Sequence, residues 1–324
     1  MKKIAIICGG NSGEYEISMK SAQVVKKHLN SGKYEGYLIE IRGSEWNSID
    51  DTGNRFAVNK ADFSIKLEKD VIHFDGVFNA IHGTPGEDGK IQAYFDLLNI
   101  PYTSCGQDTS ALTFNKHLCN KFISSYGIRV ADSMTFFKGE QVIEDEIFHH
   151  LGLPVFVKPA RSGSSVGISR VNNENEIIHA LNKAFSEDSQ VLIERSINGR
   201  EIACGVINRK NKLIVFPLTE IISKKDFFDY EAKYTKGLAE EITPAGIEQE
   251  VEQDIKALSA FLFRQLDCKG FVRFDYILAD DGLYFLEVNT IPGMTEESIL
   301  PQMAAEYGMN LTELFEIALD NLFD

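Results

Sequence analysis

The chain has 324 residues, 44% of them hydrophobic and 25% charged, the balance of a soluble globular protein with two or three domains. Its net charge of −15 excludes a broad nucleic-acid surface, which needs clustered Lys and Arg, and no apolar run approaches the ~18 residues that cross a membrane. The five cysteines, Cys8, Cys105, Cys119, Cys204 and Cys268, are scattered and form no C-x-x-C pair, which argues against a disulfide framework or zinc site and fits a reducing cytoplasm.

Residues 3–7 predict a buried strand, because the apolar run ends at Gly9-Gly10, short of the ~7–15 residues of a signal-peptide core. An amphipathic helix follows over 17–29, then strands over 34–41 and 76–81 and a helix over 87–98. This alternation predicts an α/β unit with an open parallel sheet, closing near Pro101. Residues 42–70 have no clean period and read as a decorated connection. A second unit carries a helix over 110–126, a strand over 134–137, a helix over 141–151, strands over 155–158 and 168–171, a helix from Asn173 and a strand over 190–195. Strands over 201–207 and 213–218 come next, then a polar loop over 223–245, a helix over 248–266, strands over 271–278 and 283–289, and a helical C-terminus. Neither an internal repeat nor a low-complexity segment is present.

Four segments carry chemistry. In Gly9-Gly10-Asn11-Ser12-Gly13-Glu14-Tyr15-Glu16-Ile17-Ser18 a strand turns into a helix. Two carboxylates at that turn either complement the helix dipole or attract an ammonium group; a phosphate would be repelled. There is no G-x-G-x-x-G and no Walker-type loop. His82, in Ala80-Ile81-His82-Gly83 before Thr84-Pro85-Gly86-Glu87-Asp88-Gly89, closes a predicted strand on the side where open α/β sheets bind ligands. It reads either as a structural histidine or as a contact to a substrate carboxylate. His149 and His150 read as exposed helix residues without a role. In Lys158-Pro159-Ala160-Arg161-Ser162-Gly163-Ser164-Ser165-Val166-Gly167, a lysine at a strand end precedes Gly and Ser, which suits either a flexible hairpin or a loop wrapping triphosphate oxygens.

The fourth segment is Arg273-Phe274-Asp275 followed by Glu287-Val288-Asn289. Strand side chains alternate with period two. A three-residue loop, 280–282, then sets Asp275 opposite Glu287 and Arg273 opposite Asn289, with all four on one face. Phe274, Tyr276, Leu286 and Val288 take the other face. A two-residue loop would split the polar sets, so an odd loop is expected. Facing carboxylates and an amide oxygen make a site suited to Mg²⁺; the alternative is an exposed polar face with one salt bridge.

Taken in order, these segments resemble the D-alanine–D-alanine ligases of the ATP-grasp superfamily over nearly the whole chain. Tyr230-Glu231-Ala232-Lys233-Tyr234 and Pro292-Gly293-Met294-Thr295 complete the set. The resemblance implies a three-domain ATP-grasp fold, with a Rossmann-like substrate domain over 1–104, a central subdomain over 105–194, and a domain over 195–324 carrying the metal site and a mobile loop, the last two sandwiching ATP. It implies that Glu16 holds the ammonium of the first D-alanine and that His82 lies near its carboxylate. Lys116, Lys158, Ser164 and Ser165 are implied at the ATP phosphates, Glu194 and Arg195 at the adenine, and Glu201 at the ribose. Asp275, Glu287 and Asn289 would carry two Mg²⁺ or Mn²⁺ ions, and Arg273 and the Gly293 N–H would face the tetrahedral oxyanion. Ser298 would receive the second substrate's carboxylate beside Ile299. Lys233 and Tyr234 would sit on the closing loop, with Tyr234 linked through Ser164 to Glu16.

The implied reaction activates one D-alanine carboxylate as an acyl phosphate, which the second D-alanine's amine attacks, to supply peptidoglycan precursors. A cytoplasmic homodimer is the family's habit. Arg195 stands where relatives often have Lys, and Tyr15 where many have His; Ile291 and Ile299 also depart from the common pattern. The competing readings are a ligase taking D-lactate or D-serine second, against which Tyr234 speaks, and a silent ATP-binding regulator, against which the intact metal set and Arg273 speak.

Overall fold

Ile4, Ala5, Ile6, Ile7 and Cys8 are all fully buried, as expected of a strand covered on both faces. In the computed structural model, which describes residues 1–67, 70–163, 166–210, 212–223 and 239–324, they form β1 (Lys2–Gly9). Helix α1 (Tyr15–Lys27) leads to β2 (Tyr34–Arg42), and β1 pairs in parallel with both β2 and β7 (Gly76–Asn79). Beyond β2 the sheet departs from the expected parallel architecture. The stretch read as a connection forms β3 (Glu45–Ile49), β4 (Arg55–Asn59), β5 (Ser64–Leu67) and β6 (Asp70–Ile72), each antiparallel to its neighbour, in the order β6-β5-β4-β3-β2-β1-β7. These strands bury little beyond Ser48, Val58, Ser64, Ile65 and Ile72, too few for a period to register. Helix α2 (Lys90–Leu98) covers one face through Ile91 and Phe95.

The single helix expected over 110–126 is two helices, α3 (Gln107–Phe114) and α4 (Lys116–Ser124). Asn115 breaks the run: it is extended, its side chain accepts from Leu118 N–H at 3.1 Å, and its amide donates to Gln190 Oε1 at 3.0 Å. Lys116 is thereby set at the first turn of α4. A four-stranded antiparallel sheet follows, from β8 (Ser133–Phe137), β9 (Val155–Pro159), β10 (Ser169–Val171) and β11 (Gln190–Arg195), in the order β10-β9-β11-β8. With α5 (Glu144–Leu151) and α6 (Ile177–Glu187) it encloses its own core, which includes Ile147, Val157, Leu181 and Val191. Cys119 and Ile123 of α4 pack instead in the core of the third sheet, so the stretch expected as one central unit divides its packing between two cores.

The third sheet comprises β12 (Arg200–Arg209), β13 (Lys212–Val215), β14 (Thr219–Ser223), β15 (Ala239–Ile242), β16 (Phe271–Ala279) and β17 (Gly282–Asn289). β15 lies inside the stretch read as loop. Helix α7 (Gln249–Gln265) covers one face, while α8 (Ile299–Glu306) and α9 (Leu311–Asp320) join the other face to the first sheet in one core. Among the described residues no helix is long and apolar enough to cross a membrane.

The β16–β17 hairpin corrects one expectation and preserves its consequence. Ala279 pairs with Gly282, so the turn is the two residues Asp280-Asp281, not three. A register shift between Asp275 and Tyr276 then sets Tyr276 opposite Phe285 but Asp275 opposite Glu287 and Arg273 opposite Asn289. Leu286 is the bulged residue. Phe285 accordingly takes the core position expected of Leu286, with its ring 6.1 Å from that of Tyr276.

Candidate active site

Gly9 and Gly10 adopt φ of 92° and 95°, and a Cβ on Gly10 would meet the Ile81 side chain at 2.7 Å. Only glycine lets this turn lie against the loop after β7. Ser12 ties the two together, donating to the His82 carbonyl at 2.8 Å and accepting from Glu14 N–H at 3.2 Å. Glu14, the residue preceding α1, is buried, and its Oε2 lies only 2.4 Å from where a Cβ on Gly163 would stand. Glu16 is exposed, off the buried stripe of Ser18, Ser21, Ala22 and Val25. The carboxylate that the structure brings to the 160–163 loop is therefore Glu14 and not Glu16, the residue expected at a substrate ammonium.

His82 is 4% exposed, with Nδ1 2.9 Å from the Ile291 carbonyl. Burial holds its imidazole below the usual pKa, against the opposing charge of Glu14, so it is neutral at pH 7. Glu87, four residues beyond Gly83 in the same segment, is a site residue the sequence reading passed over. Burial first, then the Glu14 charge, push its carboxyl up to about 8.

Lys116 Nζ donates to the Ser162 carbonyl at 3.0 Å and lies 3.4 Å from Glu287 Oε2, joining the Gly/Ser loop to the β16–β17 hairpin. Beside it Ser162 Oγ is buried without a partner among the described residues. Lys158 Nζ is 2.5 Å from Glu194 Oε2, while Asn120, another residue not singled out from sequence, donates to Glu194 Oε1 at 2.8 Å. Arg195, the next residue along β11, points the other way: its Nε donates to the Leu151 carbonyl at 3.0 Å and its Nη1 is 3.5 Å from Asp132. Strand alternation thus separates Glu194 from Arg195, and only Glu194 shares the Lys158 cluster. Ser164, Ser165, Lys233 and Tyr234 lie outside the described residues.

Arg273 chelates Asp275 through Nε and Nη2 at 2.8 and 2.7 Å. Burial alone would lower the guanidinium pKa, but Asp275, with Glu287 and Glu201, raises it. Glu201 sits on β12 in the same row as Ala203 and Gly205, which face Asp275 and Arg273. Among the described residues no group of three His, Cys, Asp or Glu side chains is arranged for a metal. The hairpin offers a different set, two opposed carboxylates and the Asn289 amide oxygen, and three oxygen donors of this kind fit a hard cation such as Mg²⁺ or Mn²⁺. Asn289 Oδ1 now accepts from Ile291 N–H at 3.1 Å. A Cβ on Gly293 would meet Ser298 Oγ at 2.7 Å, and that hydroxyl also accepts from Thr295 N–H at 3.1 Å. Ile299 is buried in the core shared by the first and third sheets.

Comparison with known proteins shows the family. Residues 3–105 match the family model described as D-ala D-ala ligase N-terminus, and residues 122–320 the one described as D-ala D-ala ligase C-terminus. A D-alanine–D-alanine ligase of Flavobacterium johnsoniae is 46% identical over 320 residues, covering 99% of each chain. The structure of the VanG D-Ala:D-Ser ligase of Enterococcus faecalis superposes with a TM-score of 0.88 at 35% identity, covering 98% of each chain. That of a Bacillus anthracis D-alanine–D-alanine ligase complexed with ATP superposes with a TM-score of 0.80 at 28% identity, covering 100% of this chain and 98% of the other. Two family models in tandem and a full-length relative of this identity settle the descent: the chain belongs to the D-alanine–D-alanine ligase family.

Proposed function

We propose that the protein uses ATP to join two D-alanine molecules into the dipeptide for peptidoglycan synthesis. A carboxylate is a poor electrophile, so the first D-alanine carboxylate attacks the γ-phosphoryl group, forming an acyl phosphate and releasing ADP. The amine of the second D-alanine then attacks the acyl carbon, loses a proton, and expels phosphate. The observation that supports this best is the Lys116 bridge between the Ser162 carbonyl and Glu287, because it joins a phosphate-wrapping loop to an oxygen-rich cation site.

On this reading Lys116 and Lys158 meet the phosphates, with Glu194 toward the adenine and Glu201 toward the ribose. Glu14 holds the first ammonium. Asp275, Glu287 and Asn289 would hold Mg²⁺ or Mn²⁺, which supplies charge to the phosphate oxygens. Arg273 and the Gly293 N–H face the oxyanion that forms on the acyl carbon, and Ser298 takes the second carboxylate. Ser164, Ser165, Lys233 and Tyr234 complete the phosphate loop and the closing loop. A cytoplasmic homodimer belongs to the same reading.

Incubation with ATP, Mg²⁺ and D-alanine should release phosphate and D-alanyl-D-alanine in equal amounts, with L-alanine inert. Phosphate release without dipeptide would refute the proposal. The likeness to a D-Ala:D-Ser ligase favours one further arm, D-serine in competition with D-alanine. A mixed dipeptide in excess over D-alanyl-D-alanine at equal concentrations would reassign the second substrate.

A further inference from the structure

Residues 291–294 carry Gly293 and are gripped from the first sheet's side by two buried side chains, neither on the same strand or helix as that loop. His82 Nδ1 lies 2.9 Å from the Ile291 carbonyl. A carbonyl only accepts, so Nδ1 bears the ring proton and Nε2 is the bare acceptor. Facing Nε2 at 3.3 Å is Ser21 Oγ, whose hydroxyl must donate to it. The same oxygen accepts from Met294 N–H at 3.3 Å. Met294 N–H, Ser21 O–H, the imidazole and the Ile291 carbonyl therefore form one directional chain that brackets Gly293. It is sealed from water: Ser21 is 0%, Met294 3%, His82 4% and Ile291 4% exposed. It also crosses the molecule, since α1 and the loop after β7 lie in the stretch matched by the N-terminal family model and residues 291–294 in that of the C-terminal one.

We infer that Ser21 and His82 are positioning residues that fix the orientation of the Gly293 N–H toward the tetrahedral oxyanion. With both ring nitrogens engaged, His82 has no proton left for a substrate carboxylate, and its role is to hold the loop. An N–H donor stabilises an oxyanion only while its direction is set beforehand. Ser21 matters because it alone touches both arms of the clasp. The inference rests on the proposed function for the identity of the reaction, but not for the clasp itself.

Ser21→Ala removes the shared hydroxyl with little change of volume. We expect kcat to fall about 10-fold, the effect of roughly one hydrogen bond. Affinity for a phosphinic-acid dipeptide, a tetrahedral mimic, should fall by the same factor. Nucleotide affinity and inhibition by the planar dipeptide product should stay at wild-type values, while the thermal midpoint falls, because the buried Met294 N–H and His82 Nε2 lose their shared partner. His82→Ala should lose the same property, and the double variant should be no worse than the worse single one, because the two act as a unit. Wild-type mimic affinity in Ser21→Ala, or fully additive losses in the double variant, would overturn the inference, as would equal losses in mimic, product and nucleotide binding. If the wild-type chain forms no dipeptide, the proposed function fails separately. The clasp is then judged by amide hydrogen exchange: Ser21→Ala accelerates exchange at 291–294 if the clasp holds the loop, and unchanged exchange refutes it.

Discussion

Replacing Glu14 by Gln keeps size and shape but removes the charge that, on the proposed reading, holds the substrate ammonium. The Glu14 carboxylate is wedged between two loops, 3.7 Å from the Cβ position of Gly83 and 2.4 Å from that of Gly163, so it has little freedom to be replaced by a neighbour. A charge-assisted hydrogen bond is worth about 1.5–3 kcal/mol, so kcat/KM for D-alanine should fall roughly 10- to 150-fold in Glu14→Gln. Glu16 is exposed one residue into the helix proper. Its Gln variant should stay within about 0.5 kcal/mol, or roughly 2-fold, of wild type. Phosphate release at varied D-alanine and saturating ATP measures both. Gly163→Ala supplies an independent check, since the added methyl would displace the Glu14 carboxylate and should raise KM for D-alanine before it lowers the thermal midpoint. Equal damage in the Glu14 and Glu16 variants, or none in Glu14→Gln, would refute the placement.

Two other outcomes follow from the charges. The Glu87 carboxyl is raised from 4.5 to about 8, so between those values the folded chain binds a proton that the unfolded chain does not, and stability falls as pH rises through the window. Glu87→Gln abolishes that loss. Its thermal midpoint should therefore gain on wild type from about pH 5 to about pH 9, and a constant difference would show that Glu87 does not titrate there. Arg273→Lys replaces a fork that makes two bonds to Asp275 with a point charge that cannot. Turnover should drop about 10²–10³-fold while D-alanine KM changes much less, and a loss confined to KM would count against an oxyanion role.

What the sequence shows and what it hides separate along physical lines. The buried run from Ile4 to Cys8 and the polar pairs of the hairpin are local patterns, and both are legible. The hairpin turn is not, because a three-residue turn without a bulge and a two-residue turn with one place Asp275 opposite Glu287 equally well. Only the fate of Leu286 and Phe285 distinguishes them, and both are apolar. The break at Asn115 is similarly silent, since its amide partner, Gln190, is distant in sequence. Glu14 and Glu16 share one motif, and the choice between them depends on which residue begins α1, an end that sequence locates only to within a residue or two. Asn120 and Glu87 act through partners on other elements, so no spacing reveals them.

The acidity of the chain and its affinity for a polyanion are reconciled by pairing. Each cation that the proposed reading sends to a phosphate or an oxyanion is held by a carboxylate in the free protein: Lys116 by Glu287, Lys158 by Glu194, Arg273 by Asp275. Two of those carboxylates, Asp275 and Glu287, are the ones proposed for the divalent cation. Nucleotide and cation therefore relieve each other's cost, because phosphate takes the lysine while the cation takes the carboxylate, and each should bind more weakly alone. Glu287→Gln separates the two effects. Turnover should fall severely for want of a ligand, yet ATP binding in chelator, with no divalent cation, should tighten, since Lys116 is released. The Lys116–Glu287 pair is only partly buried, at 16% and 32% side-chain exposure, which limits its worth to about 0.2–1 kcal/mol and the gain to roughly 1.5- to 5-fold. Titration calorimetry in chelator reads this directly. Weaker metal-free binding in Glu287→Gln would mean that the carboxylate orients Lys116 for the phosphate instead of competing with it.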